Sequence, residues 1–340
     1  MIPICNHSPG VLWYGATHLC LDDLSDPGRI TQVIHQDLEH SGMLWSDLCV
    51  NKVVLDFRAE GHDDRDIELL IAVLRTGGVN DLCVAFNAVV DCGQLDYRAE
   101  CFVTYHVDSY DFFSRQRHLQ QSTKTDCKFL CLMRSTDHTR ATFASQLLKQ
   151  NLDLRLSFGA ATSSQQLDCF KHYFPHHRLP ITVDGILPST HGVKDHDISN
   201  PLFRHCAVNI VTESSCQHET NRWHSIFITE KTFKAFAMWQ LPIWWAVPGL
   251  VTAVKNLGFD VFDDIIDHSY DHERNQETRM QILIDEIQRL NRLNLTQIRN
   301  NVHDRLAANW NRLAQMIEEQ PEKNYQAWQR LIGETKFQDI

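Results

Sequence analysis

The sequence lacks the features that mark several large classes of protein. None of its eleven cysteines, scattered from Cys5 to Cys216, forms a Cys-x-x-Cys pair. A short secreted chain would carry a dense disulfide framework, so free thiols in a reducing, cytoplasmic compartment are expected. There is no Gly-x-Gly-x-x-Gly fingerprint and no Walker A loop, which leaves dinucleotide oxidoreduction and P-loop hydrolysis without support. Long apolar runs are missing too. The longest stretch, Leu241 to Val254, is broken by Pro242, Pro248 and Gly249. A membrane span needs about 20 predominantly apolar residues. The first residues, Met1 to Gly15, have no basic segment leading into an apolar one, so no signal peptide is expected.

Positive charge is the scarcer sign. Lys and Arg number 32 against 43 Asp and Glu, a formal charge of -11 over 340 residues. Affinity for phosphate backbones comes mainly from Lys and Arg. A generally basic nucleic-acid or anionic-membrane binder is therefore excluded, whereas a local basic cleft is not. The length suits about two domains. Nineteen histidines make the charge less negative at mildly acidic pH.

What is present is an alternation of strand-like and helix-like periods. Lys52 to Phe57, Leu82 to Phe86 and Cys101 to Val107 read as strands. Between the first two, Ile67, Leu70, Ile71 and Leu74 repeat at helical spacing after Asp63–Asp64. The polar stretch Gln120 to Cys127 marks a boundary, after which the pattern restarts. Lys128 to Met133 reads as a buried strand, and Phe143, Ala144, Leu147 and Leu148 form one face of a helix over Thr139 to Gln150. Cys206 to Val211 and Leu241 to Ala246 read as strands, with helices at Glu230 to Trp239 and Gly249 to Leu257. Strands alternating with helices indicate βαβ units and parallel sheets. From Asn275 an amphipathic stripe begins with Ile282, Leu283, Ile287, Leu290 and Leu293. The expected organisation is an α/β domain over 1–124, a second over 125–272 and a helical C-terminal tail over 273–340.

Residues 206–264 carry the most chemistry. A strand ends in Thr212-Glu213-Ser214-Ser215, which places polar groups at its carboxyl edge. Ile228-Thr229-Glu230-Lys231 then opens a helix, with Thr229 as N-cap and Glu230 in the first turn. In open α/β sheets ligands bind outside the carboxyl ends of the strands, and helix N-termini there accept phosphate. A carboxylate at that edge can grip two vicinal hydroxyls, as on a ribose. A neighbouring lysine supplies a mobile point charge to a diphosphate.

Phe227-Ile228-Thr229-Glu230-Lys231, followed by Leu241-Pro242-Ile243-Trp244-Trp245 and Pro248, resembles the signature of the α1,3-fucosyltransferase family. There a (Y/F)-(V/I)-T-E-K segment precedes an (I/V)-P-(I/V)-x-x-G-x-P-like strand and turn. The likeness covers roughly residues 126 to 270 and extends to phage-encoded glycosyltransferase-like sequences. It implies the GT-B architecture: two Rossmann-like domains facing a cleft, with the nucleotide-sugar held by the second. It places Glu230 at the donor's ribose and Lys231 at its phosphates. Arg140, in the strand-loop-helix Phe129 to Arg140, matches the arginine that grips the diphosphate. Glu213 and Ser214 match the family's F-E-N strand end as further donor contacts, and Lys234 falls where many members carry Arg. Ser214 stands in place of the Asn, and Ala246 in place of a Gly.

The resemblance implies an inverting, metal-independent transfer from a nucleoside diphosphate sugar, GDP-linked by family likeness, with no separate cofactor. The base that takes the acceptor's proton is left open among Asp56, Glu60, Asp91 and Asp96, all near expected strand ends. A glycan is the expected acceptor. A hydroxymethylated base in DNA is the alternative, and needs positive charge gathered by Arg115, Arg117, Lys124, Lys128 and Arg134. A catalytically inactive nucleotide-sugar-binding or scaffold protein is a third reading, kept open by Ser214. No metal is expected at Asp64-Arg65-Asp66 or Asp195-His196-Asp197, two undemanding Asp-x-Asp matches. Pro175 separates His172 from His176, which with His177 read as surface histidines. Trp239, Trp244 and Trp245 are expected in the core.

Overall fold

The computed structural model describes residues 11–14, 26–40, 44–50, 52–57, 64–86, 98–101, 125–133, 136–159, 162–183, 203, 205–213 and 226–332. The chain forms two compact units. One takes Met1–Thr104, Glu219–Phe227 and Glu319–Ile340; the other takes Tyr105–His218 and Ile228–Glu318.

The first unit is built on a four-stranded sheet of β1 (Val11–Tyr14), β2 (Lys52–Phe57), β3 (Leu82–Phe86) and β4 (Arg98–Cys101), all parallel and in that order. Its helices are α1 (Pro27–His40), α2 (Trp45–Val50) and α3 (Asp64–Thr76). Strands covered on both faces read as continuous apolar runs, because successive side chains point to opposite sides. Val53, Leu55, Leu82 and Val84 accordingly pack with Ile30, Ile34, Ile67, Leu70 and Leu74. The alternate residues Val54, Cys83 and Ala85 pack with Ala327 and Leu331 from the end of the chain.

The second unit holds β5 (Cys127–Met133), β6 (Leu154–Phe158), β7 (Cys206–Thr212) and β8 (Leu241–Trp245), all parallel, in the order β6-β5-β7-β8. Around it lie α4 (His138–Lys149), α5 (Ser164–Asp168), α6 (Glu230–Ala237), α7 (Leu250–Asn256), α8 (Gln276–Asn291), α9 (Leu295–Asn301) and, as far as Glu318, α10 (His303–Ile332). Every residue of β7 is buried, the polar Asn209 and Thr212 included. β8 lies at the sheet edge, the place where a strand tolerates Pro242 without losing a ladder bond. Trp244 and Trp245 are in the core as expected, and Phe143 stacks on Trp245 with ring centres 5.2 Å apart. Trp239 is only partly buried.

The α/β class with parallel sheets and a helical C-terminal region is what the structure shows. Three details differ from the sequence expectation. The helical segment after residue 273 is shared: α8, α9 and α10 up to Glu318 belong to the second unit, and the rest of α10 to the first. Pro321, within α10, lies just past that crossing. Cys127 and Cys206, expected as free thiols, form a disulfide; they face each other on β5 and β7 with Cα atoms 4.9 Å apart. Of the strand expected at Cys101 to Val107, Cys101 falls in β4, and residues 102–107 lie outside the described residues. The sequence reading includes no counterpart of β1, α1, α2, β6 or α5. No helix among the described residues is long and apolar enough to cross a membrane.

Candidate functional site

Three segments far apart in the chain meet at the carboxyl edge of the second sheet. Glu213 directly follows β7, and its backbone N–H extends the ladder by donating to Trp245 O at 3.1 Å. Its carbonyl accepts from Arg140 Nη2 at 2.9 Å. Arg140 sits in the first turn of α4, whose N-cap Asp137 accepts from the Arg140 backbone N–H at 2.7 Å. The other carboxylate oxygen of Asp137 lies 3.3 Å from Arg140 Nη1, so one side chain caps the helix and orients the guanidinium. Arg140 is nearly buried, while the Asp137 carboxylate is half-exposed.

The third segment is the start of α6. Thr229 is its N-cap, as the sequence predicts, and its Oγ1 accepts from the Lys231 backbone N–H at 3.3 Å. The same oxygen accepts from Lys231 Nζ at 3.2 Å. Glu230 Oε1 lies 3.6 Å from Lys231 Nζ and 3.9 Å from Lys234 Nζ. Lys231 is 33% exposed and Glu230 21%, whereas Lys234 is 11% exposed, so the first two are the ones open to a solute.

Glu213 faces inward. It is fully buried, and its carboxylate accepts from Thr229 N at 3.3 Å, Thr229 Oγ1 at 2.5 Å and Thr232 Oγ1 at 2.6 Å. A carboxylate with these donors is stabilised without solvent, and it also sits near the positive end of α6. The edge therefore combines the cations Arg140 and Lys231, two helix N-termini and two accessible carboxylates, Asp137 and Glu230. That set suits an anionic ligand carrying a vicinal diol.

Arg140, Glu213, Glu230, Lys231 and Lys234 are thus brought into one connected network. Ser214 lies outside the described residues. Asp137 and Thr232 were missed by the sequence reading. Asp137 had a signal, an Asp at N-cap spacing before the helical face. Thr232 had none.

Of the acceptor-side carboxylates, Asp56 pairs with Ala85 near the carboxyl end of β2, its side chain lying outside what is described. Glu60, Asp91, Asp96 and Asp195 to Asp197 lie outside the described residues, and so do the side chains of Asp64 to Asp66 at the start of α3. Among the described residues, no three His, Cys, Asp or Glu side chains gather as a metal site. His172, His176 and His177 are exposed. Of the proposed basic cluster only Lys128 is described, and its Nζ donates to Asn291 O at the end of α8.

Two pockets of the second unit lie elsewhere. One of about 400 Å³ is lined by Lys171, His177 and Arg178 among others, and one of about 490 Å³ by Asp263, Asp264, Asp267, His268 and Arg289. Neither lining includes Arg140, Glu213 or Lys231.

No family model and no curated protein matches the chain. Among solved structures it is similar to a DNA-modifying β-glucosyltransferase, determined in the presence and absence of uridine diphosphoglucose. The identity is 9% and the TM-score 0.41, over 94% of this chain and 98% of that one.

Proposed function

We propose that the protein is a GT-B glycosyltransferase. It moves a sugar from a nucleoside diphosphate donor, held at the carboxyl edge of the second sheet, to a hydroxyl of a glycan acceptor. One observation carries this reading: Arg140, Glu230 and Lys231 converge on that edge through Glu213 and Thr229. The same residues are those the fucosyltransferase resemblance assigns to the donor.

Breaking the sugar–phosphate bond passes through an oxocarbenium-like transition state. Negative charge builds on the departing diphosphate. Arg140, Lys231 and the starts of α4 and α6 stabilise it at fixed positions, so no metal is needed for that charge. The donor's diphosphate takes the place of Asp137 as the anionic partner of Arg140. Lys231 keeps its bond to Thr229 and offers its remaining ammonium protons to the phosphates, and Glu230 takes two ribose hydroxyls. Lys234 keeps the Glu230 carboxylate in place. The acceptor hydroxyl loses its proton to a carboxylate, drawn from Asp56, Glu60, Asp91 and Asp96, and attacks with inversion.

The test is a thermal-shift panel of GDP, UDP, ADP, CMP and their sugars. A ligand bound only by the native state raises the melting temperature. At least one nucleoside diphosphate sugar should do so, GDP-linked by the family likeness, and no shift across the panel would remove the donor site. The stabilising donor is then offered with glycans and with hydroxymethylated DNA. Transfer to DNA that falls steeply with salt would replace the glycan as acceptor. Binding without hydrolysis or transfer would leave a nucleotide-sugar-binding protein.

A further inference from the structure

We propose that Glu213 is a positioning residue that sets the spacing between the two diphosphate cations, and that Trp244 and Thr232 hold it in that role. The inference rests on the donor site proposed above. It assigns Glu213 no contact with the donor.

The two ends of Glu213 serve different cations. Its backbone carbonyl binds Arg140 Nη2 at 2.9 Å. Its carboxylate binds the Thr229 hydroxyl, whose oxygen in turn holds Lys231 Nζ at 3.2 Å. One residue thus connects the guanidinium of α4 to the ammonium of α6.

Hydrogen-bond chemistry fixes the direction of each link. An indole N–H can only donate and a carboxylate can only accept. Trp244 Nε1 donates to Thr232 Oγ1 at 3.1 Å, so the Thr232 proton points to Glu213 Oε1 at 2.6 Å. Thr229 Oγ1 accepts from the backbone and side-chain nitrogens of Lys231, at 3.3 and 3.2 Å. Its own proton is thereby directed to Glu213 Oε2. Reversing either hydroxyl would set two donors, or two acceptors, against each other. Burial raises the cost of such a mismatch, since no water is at hand to repair it.

The relay is anchored on β8. The Trp244 backbone N–H donates to Tyr270 Oη at 3.3 Å, which lies 3.0 Å from His268 Nδ1. Glu213 and Thr232 are 0% exposed and Trp244 is 1% exposed, so no solute in water touches them. Any effect they have on a donor passes through Thr229, Lys231 and Arg140.

The experiment compares Thr232→Val, which deletes the hydroxyl at nearly constant shape, with Thr232→Ser, which keeps it. Two readouts are taken on the full chain: amide hydrogen exchange over residues 229–231, and calorimetric affinity for GDP and UDP. Thr232→Val should speed exchange there and weaken the bound nucleotide by about five-fold or more, with Thr232→Ser restoring both. Combined with Lys231→Ala, Thr232→Val should add little further loss, because both act on the same phosphate contact. A loss that adds in full would mark a general structural defect and overturn the relay. So would unchanged exchange, or faster exchange with unchanged affinity. If exchange rises as expected but the unaltered protein binds neither GDP nor UDP, the linkage to α6 stands and the donor assignment falls.

Discussion

At the scale of single residues, Arg140 and Lys231 are both cations aimed at one edge, but they are held differently. Lys231 has a hydroxyl and a carboxylate among its partners and is one-third exposed, so its ammonium is within reach of a ligand. Arg140 is nearly buried and supports the Glu213 carbonyl. On the proposed donor site, Lys231→Ala and Arg140→Ala should each lower turnover by about tens-fold or more, since each would remove a charge-assisted contact to the leaving group. Near-normal steady-state kinetics in both would overturn the phosphate assignment. The two should part company in stability. Arg140→Ala leaves a buried carbonyl without this donor, at a cost of about 1–3 kcal/mol, and thermal melts should show it. Lys231→Ala should melt close to the unaltered protein. Glu230→Ala should weaken the bare nucleotide in calorimetry, and unchanged affinity would remove Glu230 from the ribose.

At the scale of elements, the site depends on where two helices begin. Thr229 caps α6 and Asp137 caps α4, and each cap also holds the neighbouring cation. Asp137→Asn separates those two tasks. The amide oxygen can still accept from the Arg140 backbone N–H, and Asn caps as well as Asp does. The negative charge 3.3 Å from Arg140 Nη1 is removed, however. Helix stability should therefore hold while affinity for GDP or UDP stays level or rises, measured by melting and calorimetry together. A fall in affinity at constant stability would mean that Asp137 assists the donor rather than competing with it.

At the scale of the whole molecule, stability should depend on pH through His268. Its Nε2 donates to Val261 O at 2.8 Å, which leaves Nδ1 to accept from the Tyr270 hydroxyl at 3.0 Å. Both nitrogens are thus suited to the neutral ring. Burial holds its pKa below the ordinary 6.5, against the opposing pull of Val261 O, Asp263, Asp271 and Glu286. The unfolded chain then takes up a proton at a pH where the folded chain does not. Stability is therefore full above about pH 6.5 and falls as the pH drops below that value. Melting temperatures from pH 7.5 to 5 should decline more steeply for the unaltered protein than for His268→Gln. Equal slopes would show that His268 is not the group responsible. The Asp264 carboxylate, held low chiefly by its hydrogen bond to Arg305, acts only in a more acid range.

Much of this protein was legible in its sequence. Apolar periodicity located β2, β3, β5, β7 and β8, because a strand or helix announces itself over a few neighbouring residues. Capping chemistry located the start of α6 at Thr229 for the same reason. The Lys128-to-Met133 and Cys206-to-Val211 runs read as buried strands, but nothing in them said which would be neighbours. That order, β6-β5-β7-β8, is a tertiary fact. It set Cys127 opposite Cys206, 79 residues away, where spacing suggested free thiols. It also brought Arg140 to Glu213. The sequence placed Glu213 at a strand end beside a ligand edge, yet only packing decided that its carboxylate turns inward to Thr229 and Thr232. Side-chain direction at a strand end depends on which donors the next elements bring, and those arrive with the start of α6. The single sign that runs short here, positive charge, tells the same story. Composition showed that Lys and Arg were scarce, and the fold decided where two of them meet.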